Sequence, residues 1–383
     1  MTREYADLLS PPCASTINDI ERAFGAAGLG LLVVRGVPGC ASARAAALPR
    51  AFEFGSLPAE VRARYEDPSS TFSFGWSHGR EKLAGRPDSA KGSFYFNPMA
   101  DGVVDAAALA ADPSLAPFLH PNIWPSEADA PGFEVDVKAA ARLLVSVGAV
   151  LAPHVDAYTH AFLAARGAAD PLPAHTLTRI VTDARTHKAR LLFYFAQATA
   201  AEAGERDGVD GSAAAAAAAA VASEEDSWCG WHNDHSSLTA LTPAMYFSRD
   251  GTPTVPQDNT GGLFIRARSG VTVRAALPPD AIAFQIGETA QIHCGGAVTA
   301  TPHCVRAPSE GGVDAGLSRA ALAVFMGPDF NARMSAPVGA REEDVLRAAR
   351  GELLPKGVPP LLGRWAEGDD FRAFTLKTLG SYY

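Results

Sequence analysis

The sequence predicts an α+β chain with a mainly β core, an antiparallel sandwich or jelly roll flanked by helices. Three observations carry this reading. Short β-rich segments follow one another from Arg190 to Phe325 without the strand–helix alternation of βαβ units. Helical periodicity is concentrated before residue 186 and after residue 335. Glycine and proline punctuate the β-rich stretch, as turns between short strands require.

Along the chain, residues 16–28 place Ile17, Ile20, Phe24 and Ala27 at helical spacing, which predicts an amphipathic helix. Residues 29–37 read as a strand ended by the Pro38-Gly39 turn, and a second helix follows over about residues 41–54. Residues 72–98 mix Phe72, Phe74, Trp76, Phe94, Tyr95 and Phe96 with Gly75, Gly79, Gly85 and Gly92. This composition reads as a loop packed over a core or pocket. Residues 131–166 read as one long helix with Pro153 as a point of interruption.

The β core opens at Arg190-Leu191-Leu192-Phe193-Tyr194-Phe195. Residues 201–226 form an acidic, glycine-bearing tract with eight consecutive alanines, Ala213 to Ala220, read as a low-complexity surface insertion. Residues 263–268 and 271–274 form a hairpin across Ser269-Gly270, with Arg266, Arg268 and Arg274 on its solvated face. Residues 281–286 and 320–325 read as buried strands, and residues 341–350 and 371–379 as helices. The organisation expected is a mostly helical cap region (1–185), a β core (186–335) and a helical tail (336–383).

Hydrophobic residues at 47% and charged residues at 20% supply a large core. A net charge of −9 without a basic stripe excludes nucleic acid as an expected partner. The five cysteines, Cys13, Cys40, Cys229, Cys294 and Cys304, are scattered and form no C-x-x-C pair. They read as reduced thiols of a cytoplasmic protein, with Cys294 and Cys304 as small buried hydrophobes. The first five residues lack the apolar stretch of a secretory signal, and residues 139–152 are too short to span a bilayer, which takes about 20 residues. No membrane partner is expected.

The chemistry concentrates in Trp231-His232-Asn233-Asp234-His235-Ser236-Ser237-Leu238-Thr239-Ala240-Leu241. In an extended segment His232 and Asp234 point to one side, where an imidazole and a carboxylate can meet one cation. A third ligand is needed downstream, and His303, in Thr301-Pro302-His303-Cys304-Val305, is the best candidate. Two histidines and one carboxylate form the facial triad of non-heme Fe(II) oxygenases. The same residues suit zinc, but no H-E-x-x-H or paired general base accompanies them.

Several blocks together resemble the isopenicillin N synthase-like Fe(II)/2-oxoglutarate-dependent dioxygenases, a double-stranded β-helix (jelly-roll) family. Residues 190–195 resemble its R-x-N-Y-Y-P strand, and His232-Asn233-Asp234 with the following leucine–threonine run its H-x-D block. Gly262-Leu263-Phe264-Ile265 through Gly287-Glu288-Thr289-Ala290-Gln291 resembles G-L-Q-V…I-G-D-x-L-Q. Gly296 and His303 keep the family spacing to the distal histidine, which supports His303 over His293. Ala23-Phe24-Gly25 to Gly36-Val37 and Phe94-Tyr95-Phe96 are similar to the family's helical cap.

The resemblance implies Fe(II) held by His232, Asp234 and His303. Arg319, at the R-x-S position, would take the distal carboxylate of 2-oxoglutarate in a bidentate pair, with Tyr194 donating to the same group. It further implies a monomer acting with dioxygen on a small organic metabolite, hydroxylated or desaturated, with succinate and CO2 as co-products. No catalytic residue separate from the metal ligands is expected, and His235 and His293 stay outside the metal set. Three positions depart from the family: Ala321 replaces the R-x-S serine, and Leu192 and Phe193 replace the asparagine and first tyrosine. The segment between His303 and Arg319 is also longer than usual. Two alternatives therefore stay open: an Fe(II) oxidase that uses no 2-oxoglutarate, and an inactive jelly roll that binds a metal or small ligand.

Overall fold

The computed structural model describes residues 1–80, 82–83, 86–87, 89–168, 176–196, 227–258, 260–309, 314, 316–346 and 354–382. The low-complexity tract at 201–226 lies outside the described residues, as do residues 347–350 of the expected helix at 341–350.

Strands β1 (Thr2–Glu4), β2 (Leu31–Arg35), β3 (Gly75–His78), β4 (Lys82–Leu83), β5 (Arg86–Pro87) and β6 (Lys91–Phe96) come from the first part of the chain. They are followed by β7 (Lys188–Tyr194), β8 (Ser227–His232), β9 (Leu238–Leu241), β10 (Met245–Phe247) and β11 (Pro253–Thr254). The last are β12 (Gly262–Arg266), β13 (Thr272–Arg274), β14 (Ile282–Ile286), β15 (His303–Arg306) and β16 (Ser318–Met326). The larger sheet runs β1-β2-β14-β9-β16-β7-β6-β3, with β10 joined to β16 and β11 to β10. The smaller sheet runs β13-β12-β15-β8, and β4 and β5 pair separately. Every pairing is antiparallel except β1 with β2.

Side-chain alternation decides how the layers stack. On β16, Ala320, Leu322, Val324 and Met326 join the core formed with the helices Ala14–Phe24, Cys40–Gly55 and Phe133–Ala164. The alternate residues Arg319, Ala321, Ala323 and Phe325 turn the other way, toward the smaller sheet. Leu192, Tyr194 and Ala323 of the larger sheet pack there with Trp228, Leu263 and Val305 of the smaller. Leu31, Val33, Ala281 and Ala283 meet Ile265 in a second patch. The result is three layers, with helices on one face of the larger sheet and the smaller sheet on the other.

Three sequence expectations need correction. Residues 72–98 are not a loop over a pocket, since β3 and β6 extend the larger sheet beyond β7. Trp76, Phe94 and Phe96 belong to the main core on its helix side. The glycines misled because Gly92 is a packing device: a Cβ there would overlap the Trp76 indole. Pro153 does not interrupt the long helix, which runs from Phe133 to Ala164 with Val147, Leu151 and Val155 buried against the sheet. A lost hydrogen bond is offset by that burial. The hairpin arginines are half-buried, with Arg266 donating to Thr272 Oγ1 (3.1 Å), Arg268 to the Ala300 carbonyl (3.2 Å) and Arg274 to the Gly261 carbonyl (2.8 Å).

The helix Phe371–Tyr382 is the last element among the described residues. All five cysteines are free thiols, and Cys294 and Cys304 are buried. No helix among the described residues is long and apolar enough to cross a membrane.

Candidate metal centre

His232 ends β8 and His303 begins β15, and the two are direct register partners across these strands. Their rings stand 4.3 Å apart between centroids. Asp234 lies just beyond β8, with its Oδ1 3.9 Å from His232 Nε2 and 3.7 Å from His303 Nε2. One ligand atom from each residue lies within 4.8 Å of the others. His232 keeps 29% of its side chain exposed while Asp234 keeps 5% and His303 9%, so the cluster opens on the His232 side.

The ring nitrogens are sorted by the backbone. His232 Nδ1 donates to the Gly230 carbonyl at 2.8 Å, and His303 Nδ1 donates to the Thr301 carbonyl at 3.2 Å. A carbonyl can only accept, so each Nδ1 carries the proton and each Nε2 is the atom turned toward Asp234. Asp234 Oδ2 is buried and has no hydrogen-bond partner among the described residues. A buried carboxylate oxygen left this way is costly unless a cation meets it.

Burial, reinforced by the neighbouring His232 charge, pulls His303 down to about 4. Burial also lowers His232, but Cys229, as the thiolate, and the Asp234 carboxylate outweigh this and raise it to about 9. With Nδ1 already protonated, the additional proton that a raised pKa favours on His232 sits on Nε2, and a divalent cation must displace it on binding.

Asp234 is held by the segment that follows β14. Glu288 N donates to the Asp234 carbonyl at 2.8 Å, and Gly287 N to the Ser237 carbonyl at 3.1 Å. A Cβ on Gly287 would collide with the Ser236 carbonyl oxygen and stand 3.0 Å from that of Asp234. Gly287→Ala is thus expected to destabilise the protein by about 1–3 kcal/mol, the usual range for overpacking, and to weaken metal binding. Thermal unfolding of the metal-free protein and a metal titration check both effects.

Arg319 and Tyr194 are register partners on β16 and β7. The Arg319 guanidinium lies 4.8 Å from the centroid of the Tyr194 ring, and that ring packs on Trp228 at 5.3 Å. Arg319 is buried, yet its Nε and Nη1 have no partner among the described residues. Burial raises the Tyr194 pKa, with Arg319 acting the other way, so the phenol stays a donor. Ala321, next on the same face, pairs with Leu192. On the other side of Arg319 its register partner is Tyr246, which is buried in the inter-sheet patch and carries no motif signal in the sequence.

His235 and His293 stand apart from the triad. The His235 ring stacks on Phe371 at 6.0 Å, and His293 Nε2 donates to the Arg333 carbonyl at 2.9 Å.

No family model and no curated protein matches the chain. Solved structures do match it. A Caulobacter crescentus protein assigned to the 2OG-Fe(II) oxygenase family superposes with TM-score 0.63 at 17% identity, covering 100% of this chain and 99% of that one. A full-length Neurospora crassa protein solved with alpha-ketoglutarate gives 0.63 at 15% identity, covering 99% and 95%. A dioxygenase for auxin oxidation in rice gives 0.55 at 17% identity, covering 99% and 95%. At these identities the likeness is one of architecture, and the chain has the fold of the 2OG-Fe(II) oxygenases.

Proposed function

We propose that the chain is a non-heme Fe(II)- and 2-oxoglutarate-dependent dioxygenase that hydroxylates or desaturates a small organic metabolite. In this reading residues 186–335 form its jelly-roll core. The observation that carries the proposal is a pair of buried, incompletely satisfied charges, one in the connection after β8 and one on β16. The Asp234 carboxylate, with Oδ2 unpartnered and Oδ1 approached by the Nε2 atoms of two imidazoles, waits for a cation, and Arg319 waits for an anion. Iron with a dicarboxylate co-substrate satisfies both.

Bound Fe(II) and 2-oxoglutarate supply the oxidation itself, with dioxygen consumed and succinate and CO2 released. The chain's own residues bind and orient. His232, Asp234 and His303 would hold the metal on one side and leave the rest of its coordination to small molecules. The Arg319 fork would fix the distal carboxylate, with the Tyr194 hydroxyl as a further donor. Trp228, Leu192 and Val305 exclude water from the space between the sheets. The rice neighbour, which oxidises auxin, supports a small metabolite as the substrate class. Five free thiols support a reducing, cytoplasmic setting.

Anaerobic addition of Fe(II) and then 2-oxoglutarate tests the reading. A weak visible charge-transfer band, followed by dioxygen-dependent succinate formation, is the expected result. Iron binding without the band would instead favour an oxidase that uses no 2-oxoglutarate. Ala321 bears on this directly, because it leaves a methyl where a hydroxyl could donate to the same carboxylate. Ala321→Ser is expected to tighten 2-oxoglutarate by about tenfold, one charge-assisted hydrogen bond being worth about 1.5–3 kcal/mol. Titration of the band reads that change.

A further inference from the structure

We infer that Arg364, through Glu288 and Asn233, is a positioning residue for the metal-binding loop, so that the C-terminal segment completes the metal centre. The inference rests on the metal-centre reading above. Asp234 sits in the connection between β8 and β9 rather than on a strand, so its placement depends on what grips that loop. The grip comes from Gly287, Glu288 and Thr289. Besides the two backbone bonds already described, Thr289 Oγ1 donates to the His235 carbonyl at 2.5 Å. Asn233, the residue between two metal ligands, donates from Nδ2 to Glu288 Oε1 at 3.2 Å.

The Glu288 carboxylate is itself buried, at 2% exposure, and would be untenable there without a partner. Arg364 provides it with a two-pronged pair, Nη1 to Oε2 at 2.8 Å and Nη2 to Oε1 at 2.6 Å. The other guanidinium donors are used as well. Nε bonds the Pro360 carbonyl (2.9 Å), Nη2 the Pro359 carbonyl (3.1 Å) and Nη1 the Thr378 hydroxyl (2.9 Å) on the last helix. All five N–H groups are thereby satisfied, which fixes the guanidinium plane. The same helix begins with Phe371, whose ring covers His235. The tail is thus tied to the residues on both sides of Asp234. A buried ion pair adds little net stability over apolar packing, but it fixes geometry. Here the geometry fixed is that of a metal ligand.

The test uses the whole 383-residue chain, with anaerobic Fe(II) titration beside thermal unfolding of the metal-free form. Arg364→Lys keeps the charge but loses the fork. Asn233→Ala leaves the ion pair intact and removes its link to the loop. Both are expected to weaken Fe(II) binding by about 10-fold or more, as outer partners of metal ligands do. Asn233→Ala should do so with the unfolding midpoint of the metal-free form nearly unchanged, which a merely structural role would not produce. It also serves as the deciding variant where Arg364→Lys does not fold. Wild-type affinity in folded Asn233→Ala would overturn the inference alone. A wild-type protein that binds no Fe(II) would overturn the metal-centre reading and this inference with it.

Discussion

Asp234→Ala is expected to abolish Fe(II) binding, with a loss of more than about 100-fold in affinity, beyond what the removal of outer partners costs. Asp234 is the only carboxylate in the cluster, and its Oδ1 is the atom that both histidines approach. Without it, two imidazoles 4.3 Å apart would face the cation with no negative charge to offset its desolvation. The metal-free variant should nevertheless unfold at or above the wild-type temperature. The change removes a buried carboxylate oxygen that lacks a hydrogen-bond partner, and with it a desolvation cost. Metal content after anaerobic loading and the unfolding midpoint measure the two effects. A variant that still loads one iron per chain would dismiss Asp234 as a ligand.

Arg319→Met carries the second large effect. A bidentate pair contributes two charge-assisted hydrogen bonds, each worth about 1.5–3 kcal/mol, so 2-oxoglutarate affinity should fall by at least about 100-fold. Fe(II) affinity should not change, because Arg319 lies on β16 of the larger sheet while the histidines lie on β8 and β15 of the smaller. The split between the two ligands is the diagnostic. Arg319→Lys should recover part of the loss, since an ammonium keeps the charge without the fork. Unchanged 2-oxoglutarate binding in Arg319→Met would remove the residue from the site.

Much of the candidate site is legible in the sequence because its residues sit where short patterns fix them. His232 and Asp234 are two residues apart at a strand end, and Arg319 opens a strand whose alternation is plain from Ala320 to Met326. The pairing of His232 with His303 is a different matter. It is a cross-strand register between segments far apart in the chain, so the sequence offers His303 as a third ligand, with the family spacing in support, but does not show how it meets His232. The Tyr246 neighbour of Arg319 and the Arg364–Glu288 pair depend on tertiary packing alone. The misreading of residues 72–98 has a simpler cause. Gly75 does take a left-handed conformation, but Gly92 is an ordinary strand residue that makes room for an indole.

The central position of β16 also governs how the chain can assemble. This strand lies between β9 and β7, so it joins the half-sheet β1-β2-β14-β9 to the half-sheet β7-β6-β3. Among the described residues it is also the last strand in chain order. At the usual elongation rate its residues emerge roughly 15–60 s after those of β1. Until then β9 and β7 are open edges, each a template for pairing with another chain. Soluble yield should therefore depend on the balance between synthesis and chaperone capture. Slowing expression by cooling should protect this protein more than one whose central strands are made first.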